Sequence, residues 1–525
     1  MRSKAQGFSS DRSNYPVIII FHCPRIEIQG GNIQTLVKYV NRRASSTFTT
    51  TSNTFTKAIW IEFLAPAYNV RMSMLLLMYI VNYIDRISAA AARLRGFEDD
   101  LKLKGAQFAS ILSIFYVGYI TMQVPSNMIL SQVKKPSLYI PCCMMIWGVI
   151  SFMTGFVTNY YSALAARFLL GFSEAAFFPG ALYLIARWYK RDELSLRIAF
   201  FACGSNLSNA FGSLIASAVL DLLDGVLGYS AWRWLFFVEG AFTILVAIIA
   251  TFILPDFPES ENISWLTSSE HALAKARMRE DTATEVTRPE SLNQYNVKSM
   301  KRFYNVSAGN LVLAISDWKV WYMALAELVS IISSSHYLYF PTLTKTMGYN
   351  TTISLLLCAP PWLLTAVWCL WLSWHSDKTG ERCMHVIVPH FIAIVGAILA
   401  MSTMNTAARY VSLFLVAQTN AGFVCLIAWS SSTVSNPPEK RAVALALINA
   451  VSQCGNIAGS FIWAKAWEPT YKLSFAICAT FGMITIVLCL WLRTALKKMN
   501  EKMDCRDGNN DEVMNSARKR WRYQI

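Results

Sequence analysis

Charged residues are scarce in this sequence. Only 15% of its 525 residues are Asp, Glu, Lys or Arg, whereas 54% are hydrophobic and the mean hydropathy is +0.36. A soluble globular domain carries about 25% charged residues. The composition therefore excludes an ordinary water-soluble domain and indicates a chain whose hydrophobic residues face lipid.

The residue patterns of enzymes and metal proteins are missing as well. The twelve cysteines form no CxxC pair, and no His/Cys cluster, nucleophile–base motif or phosphate-binding loop is visible. Cysteines scattered through hydrophobic segments are typical of packing rather than of a disulfide framework. We therefore expect no catalytic residue, no metal ligand, no cofactor and no enzymatic activity.

Hydrophobic residues come in twelve long blocks. A helix of about 20 residues crosses a bilayer, and helices leave no backbone group unpaired in lipid. Strands of a β-barrel would be shorter and would alternate in polarity. We predict an all-α membrane protein with twelve transmembrane helices, named spans 1 to 12 in chain order. They cover roughly 67–92, 106–130, 138–157, 161–186, 196–220, 232–254, 318–343, 353–374, 384–404, 409–432, 441–466 and 472–494.

The longest polar interval between spans separates six spans from the next six. Equal numbers of spans on either side of a linker predict two six-helix halves. The segment before span 1 contains a Ser/Thr tract and no clear signal peptide, so we expect a disordered cytoplasmic segment there. The predicted boundaries are 1–66 for this segment, 67–254 for the first half, 255–317 for a cytoplasmic linker, 318–494 for the second half and 495–525 for a cytoplasmic tail.

The net charge is +15. Its uneven distribution along the chain indicates membrane topology rather than nucleic-acid binding. If the spans alternate in direction, basic residues gather on one side, for example at Lys134–Lys135, Lys378 and Lys440–Arg441. Loops rich in Lys and Arg lie in the cytoplasm. We therefore expect cytoplasmic termini and a lipid bilayer, not nucleic acid, as the surrounding partner.

Span 1 contains two adjacent charges, Asp85 and Arg86, and span 4 contains Glu174. Counted from the start of each span at 1.5 Å per residue, Asp85 and Glu174 both lie about 20 Å deep, so they can meet near the bilayer centre. Ionisable residues at that depth are functional candidates, although a buried structural ion pair is the alternative. An anion arriving at Arg86 would weaken its hold on the carboxylates and favour their protonation.

Polar stripes mark three further spans. Such side chains either join helices together or line a cavity, and the sequence leaves both interpretations open. Those selected as candidate substrate contacts are Tyr116 and Tyr119 in span 2, His336 in span 7, and Asn449 at the start of an i, i+4, i+7 series in span 11.

Several stretches resemble the major facilitator superfamily and, within it, the anion:cation symporter family, especially the fungal allantoate/nicotinate permease-like branch. Together they cover most of residues 72–494, and the span 6 and PSNMIL segments are the most specific. The matching stretches are NYIDR (82–86), FYVGYITMQVPSNMIL (115–130), RFLLGFSEAAFFPGALYL (167–184), DGVLGYSAWRWLFFVEG (224–240), FPTLTKTMGY (340–349), SDKTGER (376–382) and EKRAVALALINAVSQCGNIAGSFI (439–462).

This resemblance implies proton-coupled symport of a small organic anion, such as nicotinate, allantoate or another monocarboxylate, by alternating access. It implies that Arg86 binds the substrate carboxylate, that Asp85 and Glu174 carry the coupled proton, and that Asn449 faces the cavity. An efflux carrier of the same fold that exports a small acidic metabolite is the alternative. We expect a monomer, and the plasma membrane is the default location.

The loop after span 8 matches the cytoplasmic signature of the superfamily through Asp377, Gly380 and Arg382, which implies a gating role for these residues. Charges of this kind can pair with a neighbouring helix end and hold one transport state closed. The equivalent loop of the first half, SQVKKPSLY (131–139), lacks the acidic residue. The resemblance therefore does not extend to a symmetric pair of gates.

Overall fold

The computed structural model describes residues 65–133, 135–189, 191–257, 312–434 and 438–508, together with a few positions between 271 and 278 and residue 523. All regular secondary structure in this part of the chain is helical, in agreement with the predicted all-α class. Nearly all of the predicted segment 1–66 and most of the predicted linker fall outside the described residues, whereas positions 495–508 and 523 of the predicted tail are described. The last helix continues past the predicted end of span 12, to Gly508.

Each predicted span of the first half corresponds to one helix or to two consecutive helices. The two-helix spans are spans 4 and 5, where one or two residues separate consecutive helices. The helices are Ala65–Ala92 (span 1), Gln107–Gln132 (span 2), Pro136–Thr154 (span 3), Tyr160–Glu174 and Phe177–Trp188 (span 4), Arg191–Ala202 and Gly204–Leu222 (span 5), and Ala231–Ile253 (span 6).

The second half repeats this plan, with bends in spans 7, 8 and 10. Its helices are Trp318–Ser333, the 3-10 turn Ser335–Tyr339 and Phe340–Lys345 (span 7), Thr351–Leu356 and Ala359–Thr379 (span 8), Cys383–Ser402 (span 9), Thr406–Ala417 and Thr419–Thr433 (span 10), Pro438–Ser460 (span 11), and Lys472–Gly508 (span 12).

Length and composition allow ten helical segments of the described chain to cross a membrane. The two predicted spans outside this group are spans 2 and 7. Span 2 carries glutamine, serine and tyrosine along its length, and the first helix of span 7 has only 16 residues because it ends at Ser333. Large hydrophobic side chains such as Phe252, Leu364 and Phe391 are exposed on the outer faces of the helices, where lipid would cover them.

The bend in span 7 has a local cause. Pro341 has no backbone N–H, so the carbonyl of Tyr337 cannot receive the hydrogen bond that a continuous helix would supply. The chain instead forms a 3-10 turn from Ser335 to Tyr339. This turn places Tyr337 against spans 2 and 11, where its hydroxyl contacts Tyr116 and Asn456.

Spans 2 and 4 approach each other closely through two glycines. A Cβ atom at Gly171 would lie 1.9 Å from the carbonyl oxygen of Phe115, and one at Gly118 would lie 2.3 Å from that of Phe168. Only glycine allows two backbones to come this near. Because Gly171 lies between Arg167 and Glu174 in span 4, the contact also sets the position of these two charged residues.

We predict that Gly171→Ala destabilises the protein by about 1–3 kcal/mol, because an added methyl group forces spans 2 and 4 apart. The measurement is thermal unfolding of the purified protein in detergent. Gly180→Ala in the same span is the matched control, since its Cβ would first meet a leucine side chain at 3.4 Å. Equal melting temperatures for the two variants would contradict this interpretation of the helix contact.

Candidate transport site

Arg86 and Glu174 form an ion pair between spans 1 and 4. The Nε atom of Arg86 lies 2.7 Å from Oε2 of Glu174, and the two side chains are 8% and 0% exposed. The guanidinium group also lies over three aromatic rings, at 4.9 Å from the ring centre of Tyr83, 5.2 Å from Phe115 and 4.7 Å from Tyr119. The cation is therefore held by one carboxylate and by aromatic faces that attract it electrostatically.

Asp85 points to other helices than Arg86 does. Its carboxylate accepts hydrogen bonds from Ser151 of span 3, at 2.8 Å, and from Thr243 of span 6, at 3.0 Å. Consecutive residues of a helix point about 100° apart, which explains why the two neighbouring charges enter different surroundings. The predicted cluster is thus split: Glu174 pairs with Arg86, while Asp85 is bound by hydroxyl groups.

Arg167 connects these two parts. Its Nη1 atom donates a hydrogen bond of 3.1 Å to the backbone carbonyl of Asp85, and its guanidinium lies 5.3 Å from the ring centre of Phe236. Arg167 is buried, and it shares one face of span 4 with Glu174, which lies seven residues later. Span 4 therefore brings both a cation and a carboxylate to the buried face of span 1.

A chain of hydrogen bonds joins this region to the second half. The hydroxyl groups of Tyr116 and Tyr337 are 2.5 Å apart, and Tyr337 donates to Asn456 at 3.0 Å. Asn456 donates to Gln453 at 2.7 Å, and Gln453 donates to Asn449 at 3.3 Å. The polar stripes of spans 2 and 11 thus meet through Tyr337, and Asn449 lies at the far end of the chain.

His336 lies in a different place. It borders a small cavity within the second half, together with Ser333, Thr419 and Cys478. The structure therefore does not bring His336 to Arg86. Its neighbour Tyr337 belongs to the same turn but takes part in the hydrogen-bond chain described above. Within the described ranges, His, Cys, Asp and Glu side chains form no group of three or more that could hold a metal ion.

The candidate gating residues form a compact loop at the end of span 8. Arg382 lies 2.6 Å from Asp377 and donates a hydrogen bond to Ser376 at 3.1 Å. Gly380 adopts a φ of +69°, a left-handed conformation in which glycine carries no steric penalty. Glu381 reaches Arg493 of span 12 at 3.9 Å, so the loop is tied to a neighbouring helix end.

The two halves touch at the predicted outer end of the spans. Lys465 lies 3.6 Å from Glu98, and Thr352 donates a hydrogen bond of 3.1 Å to Asp221. Phe108, in the first turn of span 2, meets Tyr339 edge to face, with ring centres 6.1 Å apart. These contacts cover the buried charges from the outer side.

The sequence analysis did not select several buried polar residues, some beside the transport site and some elsewhere in the fold. Glu239 of span 6 and Glu327 of span 7 are buried carboxyl groups in predicted spans, and the criterion that selected Asp85 and Glu174 would have found both. The hydroxyl partners could not be found in this way, because serine and threonine are common in membrane helices and only the fold shows which ones meet a charge. They are Ser88, Ser151, Thr243 and Ser430.

Two six-helix halves with an ion pair buried between spans 1 and 4 are an arrangement typical of secondary transporters. The family model of the Major Facilitator Superfamily matches residues 75–460, which is well over half of the sequence. The chain belongs to this superfamily, as the resemblance predicted.

Known proteins similar to this chain are named as transporters. The MFS transporter prlL of a fungal species (strain NRRL 50135) is 31% identical over 81% of this chain and 84% of its own. A putative tartrate transporter of Agrobacterium vitis is 29% identical over 80% of this chain and 92% of its own.

A solved structure supports the fold independently. A bacterial homolog of the human lysosomal transporter Spinster, in an inward-facing and occupied conformation, aligns with a TM-score of 0.60. The alignment covers 82% of this chain and 98% of that one, at 16% sequence identity. A likeness at this identity shows the shared helical fold.

We predict that Glu174→Ala lowers the free energy of unfolding by about 3–5 kcal/mol, because it leaves the buried Arg86 without its carboxylate. The double variant Arg86→Gln/Glu174→Gln should be less destabilised, since it removes both charges. Thermal unfolding in detergent of Arg86→Gln, Glu174→Gln and the double variant measures the coupling between the two residues. If the double variant loses as much stability as the two single variants together, the result would contradict a stabilising ion pair.

Proposed function

We propose that this transporter couples the uptake of a small organic anion to protons, with Arg86 as the anion-binding residue. The observation that carries the proposal is the buried pair of Arg86 and Glu174, in which a single carboxylate neutralises a guanidinium surrounded by aromatic rings. A substrate carboxylate can replace that of Glu174, because guanidinium groups bind any carboxylate through the same pair of N–H donors.

Replacement of Glu174 creates the coupling. Once the substrate carboxylate occupies Arg86, Glu174 is left buried without its cation, and a buried carboxylate in that position favours the protonated form. The proton comes from solution on the side to which the site is open. Anion and proton then enter together, and release of the proton on the other side returns Glu174 to Arg86. Asp85 is the second proposed proton group, since Arg167 links it to the same helix face.

Two further side chains support a proposal for the substrate class. Asn82 lies one helical turn before Arg86, and Gln123 lies one turn beyond Tyr119. Both are fully buried, and the amide atoms of both lack a hydrogen-bond partner within the described part of the chain. Helical spacing puts both on the predicted cytoplasmic side of Arg86. They suit an anion that also carries hydroxyl or amide groups, and Tyr116 and Tyr119 are the proposed aromatic contacts.

Alternating access requires the halves to separate on one side at a time. In our proposal the contacts of Glu98 with Lys465 and of Asp221 with Thr352 close the outer side. The loop of Asp377, Gly380 and Arg382 acts on the cytoplasmic side. Asn449 and His336 are retained as proposed substrate contacts only for a state in which the second half has moved, because neither touches Arg86 here.

Uptake across the plasma membrane is the proposed direction, and one assay tests it against export. Cells that express the protein are given labelled tartrate, allantoate, nicotinate, pantothenate or a dipeptide at acid and neutral pH, with and without an uncoupler. Faster uptake of at least one anion at acid pH, abolished by the uncoupler, is the expected result. Higher accumulation in cells that lack the protein would instead demonstrate export and overturn the proposal.

We predict that Arg86→Ala weakens binding of the transported anion by about tenfold or more, because a hydrogen bond to a charged group contributes about 1.5–3 kcal/mol. Binding to the purified protein is measured by calorimetry. Arg95→Ala is the control, since Arg95 pairs at the outer end with Asp221, at 3.3 Å, and does not touch the site. Unchanged affinity in Arg86→Ala would show that Arg86 does not bind the anion.

We predict that Glu174→Gln abolishes accumulation driven by a proton gradient but retains exchange of labelled for unlabelled substrate. Glutamine keeps the shape of the side chain and cannot release a proton. Both rates are measured in liposomes that contain the purified protein. Gradient-driven accumulation at the wild-type level in Glu174→Gln would contradict the proposed proton role of Glu174.

A further inference from the structure

Glu239 of span 6 is a third buried carboxyl group beside Asp85 and Glu174. It is 4% exposed, and its side chain is hydrogen-bonded to Ser88 of span 1. Glu239 also borders a cavity whose walls come from both halves, with Asn209 and Ser213 on one side and Tyr337 and Trp362 on the other. The acid therefore faces the boundary that must open and close during transport.

A count of hydrogens indicates which form of Glu239 this arrangement holds. The hydroxyl oxygen of Ser88 lies 2.6 Å from the carbonyl oxygen of Ile84 and is also within hydrogen-bond distance of Oε2 of Glu239. Ser88 has one hydrogen to donate, and the Ile84 carbonyl has none. With an ionised Glu239 this one hydrogen would serve two acceptors, whereas a protonated Glu239 supplies the second hydrogen, so the count favours the protonated form.

The charges of the cluster agree with this count. Three carboxyl groups, on Asp85, Glu174 and Glu239, face two guanidinium groups, on Arg86 and Arg167, within the described part of the site. One carboxyl group therefore lacks a cation. Arg86 lies against Glu174, and Asp85 accepts two hydroxyl hydrogen bonds, as an ionised carboxylate does. Glu239 is the remaining group, and a proton neutralises it.

Two hydrogen bonds between spans 1 and 6 bring Glu239 close to Asp85. Asp85 and Ser88 are three residues apart on span 1, and Glu239 and Thr243 are four residues apart on span 6. Asp85 binds Thr243, and Ser88 binds Glu239. The charged groups that act on Glu239 are Asp85 on span 1 and Arg167 on span 4. A change of charge on Glu239 is therefore felt by Asp85 one helical turn away.

We propose that Glu239, together with Ser88, is a further proton-binding site of this transporter, which takes up and releases a proton at the cavity between the two halves. Occupation of this site sets the charge next to Asp85, so the two acids titrate as a coupled pair. The inference deepens the proposed proton coupling and rests on it for its role in transport. The proton-binding site itself can be tested without any substrate.

The test is infrared spectroscopy of the full-length protein in lipid bilayers, recorded as the pH is raised from acid to alkaline. Protonated carboxyl groups give a carbonyl stretching band that carboxylates lack. We expect one component of this band to disappear with rising pH in the wild type and to be absent at every pH in Glu239→Gln. Asp85→Asn should move its disappearance to lower pH, since a neighbouring negative charge has been removed.

Glu327→Gln is the matched control. Glu327 is also a buried glutamate that accepts a serine hydroxyl, from Ser430 at 2.6 Å, but it lies in the second half. We expect its replacement to leave the titrating component unchanged. A spectrum of Glu239→Gln that retains every titrating component of the wild type, or a Glu239 component that stays at all pH values, would overturn the proposal. Ser88→Ala, which keeps the acid, should change the frequency of the same component and covers the case in which Glu239→Gln fails to fold.

Transport separates this inference from the proposed function. Liposomes with Glu239→Gln should lose the pH dependence of accumulation of the anion that the wild type carries, and liposomes with Glu327→Gln should retain it. A titrating Glu239 in a protein whose wild-type transport ignores the proton gradient would refute proton-coupled transport and leave the proton-binding site standing. Normal pH dependence in Glu239→Gln would refute the role in transport assigned here.

Discussion

The ion pair of Arg86 and Glu174 sets the conditions for the rest of this site. Both side chains are almost completely removed from solvent, and a charge buried without a partner costs several kcal/mol. The pair must therefore either stay intact or be replaced by another neutral arrangement. A substrate anion on Arg86 combined with a proton on Glu174 is such an arrangement, and this exchange is the physical basis of the proposed coupling.

The surrounding helices shield the pair from solvent and hold it in place. Gly118 and Gly171 let spans 2 and 4 approach until backbone meets backbone, which fixes span 4 and its Glu174 against span 2. Tyr83, Phe115 and Tyr119 cover the guanidinium of Arg86. On another face of span 1, hydroxyl groups bind Asp85 and Glu239. Span 1 thus presents the cation of Arg86 on one face, and Asp85 and Ser88 on another.

The sequence was sufficient to predict the fold class, because hydrophobic blocks of bilayer length leave little choice in lipid. It also predicted that charges in spans 1 and 4 lie at equal depth, since helical rise converts residue number into distance. It could not predict that Asp85 turns away from Arg86 toward spans 3 and 6, because that depends on how helices far apart in the chain pack. The displacement of His336 from the site likewise follows from the turn at Ser335–Tyr339, whose shape periodicity does not encode.

The central claim is that an anion displaces Glu174 from Arg86 and thereby draws a proton into the protein. Proton uptake on binding tests it directly. The purified protein is placed in weakly buffered solution near neutral pH, the anion identified by uptake is added, and a pH indicator records the change. The account predicts that wild type takes up protons as the anion binds and that Glu174→Gln takes up fewer. Saturable anion binding with no proton uptake, from acid to neutral pH, would contradict it.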